Sequence, residues 1–138
     1  MSRDAALPPT WTRTTLGAIC SKPQYGWTTS ADKDREGVRL LRTTDITSGS
    51  IDWATVPVCR DVPDDVSKYQ LKPGDIVISR AGSVGFSHLL RDVPGPAVFA
   101  SYLIRFRPNE GIDGRFLSHF LWCNDYWSQI SEQSAGIA

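Results

Sequence analysis

An excess of one charge, paired cysteines, long apolar runs and catalytic signatures are all missing from this 138-residue sequence, and each absence narrows its role. Lys and Arg number 15, as do Asp and Glu, for a formal net charge of +0. A free-standing nucleic-acid binder normally carries a basic excess. Any such role must therefore rest on a local patch, or on partners that add positive charge. The 3 cysteines, Cys20, Cys59 and Cys123, are odd in number and never form a Cys-x-x-Cys step. That argues against a disulfide framework or a zinc site, and for buried, reduced thiols. No apolar run approaches the roughly 20 residues that span a bilayer. Residues 1–9 lack the apolar centre of a secretory leader, so the expected location is the cytoplasm.

Catalytic patterns are equally scarce. No strand-placed Gly-x-Ser-x-Gly elbow, His-Glu-x-x-His pair or Gly-x-x-x-x-Gly-Lys-[Ser/Thr] loop occurs. His88 falls in a predicted strand and His119 in a predicted helix, with no nucleophile indicated beside either. Cys123 follows His119 at i, i+4, a spacing open to a thiol–base pair, but cysteine is also a common core residue. Asp75 could serve a metal-dependent nuclease only with a second carboxylate, and Ile76-Val-Ile78 supplies none. The chain is read as a non-enzyme.

What is present suits a folded domain. Hydrophobic residues make up 41% and aromatics 10%, enough for a core, so disorder is not expected. Gly 11 and Pro 9 are spread along the chain, which suggests many short elements joined by turns. Residues 1–10 read as an extended lead-in to a single domain over 1–138. Residues 11–19 fit a short strand or a helical turn. The polar, turn-rich stretch 21–36 reads as a long working loop. Residues 38–42 form a strand closed by a Thr43-Thr44-Asp45 turn. Residues 51–58 form a weaker strand that Pro57 assigns to an edge. A helical turn follows at 64–69, and 75–80 is the clearest strand, with 86–90 as its hairpin partner. Residues 97–100 and 102–107 supply more strand. Phe116, Leu117, Phe120, Leu121, Trp127 and Ile130 describe one amphipathic helix over about 115–131, with Asp113 as its N-cap. The expected fold is therefore α+β: a twisted, mixed or mainly antiparallel sheet with short helical turns and a C-terminal amphipathic helix. Trp11, Leu71, Ile76, Ile78, Phe116, Phe120 and Leu121 are the expected core.

Three donor clusters suit a polyanion. Arg80-Ala-Gly-Ser-Val-Gly85 sets an arginine at a strand end, then glycines that let backbone N–H groups approach a phosphate. The same residues also make an ordinary hairpin turn. Arg39, Arg42, Thr43 and Thr44 form a second cluster, and Arg105 with Arg107, sharing a strand face, a third. In the loop over 22–29, Gln24 has the geometry for bidentate base contacts, and Tyr25 and Trp27 could stack on bases or pin the loop to the body.

In order, these pieces resemble the type I restriction-modification DNA specificity subunit family, specifically a single target-recognition domain. The resemblance is carried by Leu7-Pro-Pro-Thr-Trp11 with Leu16-Gly-Ala-Ile19, and by Arg42-Thr-Thr-Asp-Ile46 with Gly49-Ser-Ile51. It continues through Tyr69-x-Leu71-Lys-Pro-Gly-Asp-Ile76 and Ile78-Ser-Arg-Ala-Gly-Ser-Val-Gly85, then Phe99-Ala-Ser-Tyr102-Leu-Ile-Arg105 and the helix ending near Ser134-Ala-Gly136. It implies sequence-specific recognition of one half-site of a bipartite double-stranded DNA target. It also implies a modification (methyltransferase) subunit as partner and, through it, the restriction motor subunit. S-adenosylmethionine, ATP and Mg would sit on those partners, and this chain would bind no cofactor. On that basis Arg80, Ser83 and Arg42 are assigned to phosphates, with Gly82 and Gly85 shaping their loop. Gln24, Tyr25, Trp27 and Thr28 approach base edges, and Thr43 and Arg105 complete the DNA-binding set. The family pattern continues into a spacer helix and a second recognition domain that this sequence does not include. The alternative is a truncated remnant acting as a protein-interaction module.

Overall fold

A computed structural model describes residues 7–33 and 35–135. Gly136, the expected helix stop, lies outside them. In chain order the elements begin with α1 (Leu16–Ile19), β1 (Gln24–Tyr25), β2 (Ala31–Asp32), β3 (Arg39–Leu41) and α2 (Thr43–Ile46). A single 3-10 turn (Trp53–Thr55) leads to β4 (Val58–Cys59), α3 (Val66–Tyr69), β5 (Ile76–Ser79) and β6 (Ser87–Leu89). The chain closes with β7 (Ala97–Phe99), β8 (Leu103–Phe106), α4 (Gly114–Phe120) and α5 (Asn124–Ala135).

Two four-stranded sheets result. One has the order β1-β8-β5-β6 and is antiparallel throughout; the other has the order β2-β4-β3-β7 and is mixed, because β3 and β7 run parallel. The α+β expectation holds. The apolar run in β5 explains the layering. Successive strand residues face opposite sides, so Val77 joins Leu41, Phe99 and Leu103 in one cluster, while Ile76 joins Leu117, Leu121 and Tyr126 in another. The first sheet thus buries one face toward the second sheet and the other under the helices.

Two charged groups are drawn into this interior. Arg107 holds the buried Asp75 carboxylate (Nε–Oδ1 2.8 Å) and also donates to the Gln70 carbonyl at 2.9 Å. The other Asp75 oxygen accepts from the Lys72 backbone N–H at 2.9 Å, tying the turn before β5 to β8.

The C-terminal helix expected over 115–131 is instead two helices that break at Leu121–Cys123. Along one straight helix, Leu117 and Tyr126 would face directions about 180° apart. Both are buried in the same cluster, so the chain must turn between them. The break also separates His119 in α4 from Cys123 in the turn, removing the helix face they were read to share. Asp113 caps α4, accepting from the Arg115 N–H at 2.9 Å.

Other expectations are corrected. Trp11 and Phe116 are 55% and 59% exposed and meet each other edge to face at 5.8 Å, outside the core. Leu71, Ile76 and Leu121 are fully interior, with Ile78 and Phe120 at the cluster margin. The 21–36 stretch contains β1 and β2. Residues 43–46 form α2 rather than a turn. Pro57 does not mark an edge: β4 begins after it and lies between β2 and β3.

His88 is half-buried on β6, and burial first, then the Arg91 charge, lowers its pKa. The unfolded chain therefore binds a proton more readily than the native one as pH falls below the ordinary histidine value of about 6.5. This contribution to stability is complete above that value and is lost as pH falls through it. Thermal midpoints recorded from pH 7.5 downward should show a decline beginning above the carboxylate range, and His88→Gln should flatten that part of the curve.

Candidate nucleic-acid interface

The sheet end where β5 finishes and β8 begins brings two of the expected DNA contacts, Arg80 and Tyr25, to one surface. Arg80, just past β5, donates from its backbone N–H to the Tyr102 carbonyl (2.8 Å) and from Nε to the Ser101 carbonyl (2.8 Å). Its guanidinium lies over the Tyr25 ring, 5.3 Å from the centroid. Tyr25 reaches this place because β1 pairs with β8, with Tyr25 opposite Ile104. Both Tyr25 and Tyr102 are 59% exposed. An arginine held by one carbonyl and one ring keeps its remaining N–H donors in a fixed fork toward solvent.

The adjoining turn is braced from below. Ser79 Oγ donates to the Ser83 carbonyl and accepts from the Phe86 N–H. Gly82 and Gly85 have positive φ, 73° and 92°. At Gly85 a side chain would press on Trp127 and Ile130 at 3.1 and 3.2 Å, and its carbonyl accepts from Tyr126 Oη at 2.6 Å. That leaves Gly82, Ser83 and Val84 exposed at the tip. Burial pushes the Tyr126 phenol up to about 12, so it stays a donor to this turn.

Other expected contacts are placed elsewhere. Trp27 pins its loop to the body, donating from Nε1 to the Asp61 carbonyl (2.8 Å) and packing on Tyr69 at 5.5 Å. Gln24 is half-buried and bonds the Tyr25 carbonyl at 2.9 Å, while Thr28 is exposed on the same connection. Arg42 grips Asp45 with two side-chain bonds, 3.0 and 3.1 Å, at the start of α2. Thr43 Oγ1 is buried, which withdraws it from any surface role. Arg105 is a further correction: it is 7% exposed, lies over Phe99 and donates to the Gln70 carbonyl. Its strand face is the one turned inward, so it lines no outer surface, while Arg107, with 34% of its side chain exposed, is held by Asp75 and the Gln70 carbonyl. Arg39 likewise donates to the Trp53 and Val56 carbonyls.

The sequence reading missed Tyr102 as a surface residue. Tyr102 falls in the predicted 102–107 strand, but β8 begins at Leu103, so strand alternation does not govern it. The signal was its place directly after Ala-Ser, at the turn into the strand. Among the described residues no three His, Cys, Asp or Glu side chains gather as a metal site, and no helix is long and apolar enough to cross a membrane.

This fold is similar to that of part of HsdS, the specificity subunit of type I restriction-modification systems. The HsdS subunit from Thermoanaerobacter tengcongensis matches with a TM-score of 0.64 at 20% identity, over 86% of this chain and 29% of that one. A chain from a structure on complex assembly and conformational transition of the type I system gives 0.66 at 20% identity, with the same coverage of 86% and 29%. This chain therefore spans less than a third of either. No protein-family model and no curated protein matches the sequence.

Proposed function

We propose that this chain is a DNA target-recognition domain that reads one half-site of a split double-stranded site for a type I restriction-modification complex. The observation that carries the reading is the braced Arg80, flanked by exposed Tyr25 and Tyr102, on a fold shared with HsdS. Phosphate contacts position such a domain and side chains at base edges specify. Arg80 and the tip around Ser83 take the first role; Tyr25, with Gln24 and Thr28 beside it, takes the second. The domain itself carries no catalysis. A modification subunit supplies methylation with S-adenosylmethionine, and a motor subunit supplies ATP- and Mg-dependent cleavage. Those partners also supply the non-specific phosphate affinity that a net charge of +0 cannot.

Selection of a randomised duplex library on the purified chain at low salt tests this directly. Enrichment of a motif a few base pairs long is the expected result. Arg80→Ala should then weaken all sequences alike and lower the salt slope by about 1. A change in preference alone would remove Arg80 from the phosphate role. Several expected donors (Arg39, Arg42, Arg105, Arg107) are spent inside the fold, and this favours the protein-interaction reading as runner-up. A folded chain that enriches no motif, alone or with the modification subunit added, would establish that reading instead.

A further inference from the structure

The peptide between Gly85 and Phe86 is held on both sides. Its carbonyl accepts from Tyr126 Oη at 2.6 Å, and its N–H donates to Ser79 Oγ at 3.0 Å. Ser79 Oγ in turn donates to the Ser83 carbonyl. A carbonyl can only accept, so both hydroxyl protons have one possible direction. The three bonds therefore run head to tail, from α5 through the Gly85 peptide and Ser79 to the exposed tip. Hydrogen bonds aligned in one sense polarise one another.

The chain of bonds ends at the Ser83–Val84 peptide, which is trans. In a trans peptide the N–H points opposite to the carbonyl. The Ser83 carbonyl turns inward to Ser79, so the Val84 N–H turns outward, on a residue that is 42% exposed. No partner among the described residues takes it up. The other end is fixed. Tyr126 is buried on α5, packs edge to face on Phe120 and Trp127, and keeps its phenol protonated through burial. Gly85 rests on the same helix, where Trp127 and Ile130 leave no room for a side chain.

We propose that the Val84 N–H is a further phosphate contact of the DNA surface, and that Tyr126 is the positioning residue that aims it through this chain of bonds. The role rests on the reading that this surface meets DNA. Tyr126 touches no phosphate, being buried beneath the turn. Its hydroxyl supplies orientation: without it the Gly85 peptide loses one of its two holds and can rotate, and the Ser83–Val84 peptide follows. Backbone N–H groups are ordinary phosphate ligands, and one more such donor strengthens the contact without altering a net charge of +0. A phosphate on Val84 extends the aligned chain by one bond, so DNA binding draws the turn more firmly onto α5.

The test uses a short duplex of mixed sequence at low salt, since a phosphate contact does not depend on sequence. The Val84 amide proton should move downfield as duplex is added. Tyr126→Phe keeps the ring and removes only the hydroxyl, and should weaken binding about five-fold, the usual contribution of one neutral hydrogen bond. Its salt slope should stay unchanged because a neutral donor displaces no counterion, whereas Arg80→Ala should lower that slope by about 1. Ser79→Ala cuts the same chain one link further on and should lose as much; adding Tyr126→Phe to it should weaken binding no further. An unmoved Val84 amide, full affinity in Tyr126→Phe, or a loss accompanied by a lower salt slope would overturn the inference. If Arg80→Ala still weakens binding in that case, the DNA surface stands and only the Val84 and Tyr126 roles fall. If the unsubstituted protein binds no duplex, alone or with the modification subunit added, both fall. The Val84 shift in the unsubstituted protein and the Ser79→Ala loss decide the matter if Tyr126→Phe disturbs folding.

Discussion

Gly26→Ala is expected to be the most damaging single-methyl change in this protein. A Cβ at that position would stand 2.0 Å from the Ala100 carbonyl oxygen and 2.6 Å from that of Phe99. Both are backbone atoms, and they cannot move aside: Phe99 is fully buried, β7 is paired with β3, and Ala100 donates to the Leu41 carbonyl at 2.9 Å. The bond from the Trp27 N–H to the Phe99 carbonyl, 2.8 Å, locks the other side of the contact. The strain must therefore fall on β1, displacing Tyr25 from Arg80. We expect a loss of about 3 kcal/mol, at the upper end of overpacking costs, read as a lower urea midpoint. DNA selection should fail even where the protein remains folded. A loss below about 0.5 kcal/mol, the range of an ordinary surface change, would refute the close approach of β1 to the β7 end.

Arg107→Met should cost about 3 kcal/mol, because it leaves the Asp75 carboxylate in the interior without its cation. The Asp75 side chain is 5% exposed, and its remaining protein donor is the Lys72 N–H. The Gln70 carbonyl would also lose its Arg107 donor. A second change, Asp75→Asn, should recover part of the loss, since a neutral amide needs no counter-charge. In denaturant titrations of both single variants and the double, the coupling should be positive and above 1 kcal/mol. Additive losses would mean that water already screens the pair and that Arg107 stabilises through packing alone.

These two residues illustrate what could and could not be read from sequence. The strand at β5 was legible because four consecutive apolar or small residues buried on both faces leave a dense local signal. Its hairpin with β6 followed from the glycines between them. β1 and β2 were not legible, because two-residue strands carry no period and exist only through long-range partners. Arg105 and Arg107 were placed correctly on one face, but nothing local tells an inward arginine from an outward one; the Asp75 and Gln70 groups that draw them in lie more than 30 positions earlier. The helix break at Leu121–Cys123 was visible in principle. Leu117 and Tyr126 are nine positions apart, which a single straight helix cannot turn to one side. At the candidate interface Arg80 and Tyr25 were identified singly, whereas their stacking required the β1–β8 pairing.

That pairing also governs when the protein can fold. Gln24 meets Arg105 and Leu41 meets Phe99, so the first strand waits some eighty residues for its partner, and the parallel β3–β7 pair at one edge of the second sheet waits nearly sixty. Loop closure over such separations slows the search for the native state. On a ribosome, the first sheet could not be completed before β8 had left the exit tunnel, nor the second before β7 had. Until then the β5–β6 hairpin, closed over the shortest connection of any sheet pairing among the described residues, can already form. Refolding experiments should accordingly find it ordered first, with Tyr25 and Arg80 joining only in the last step.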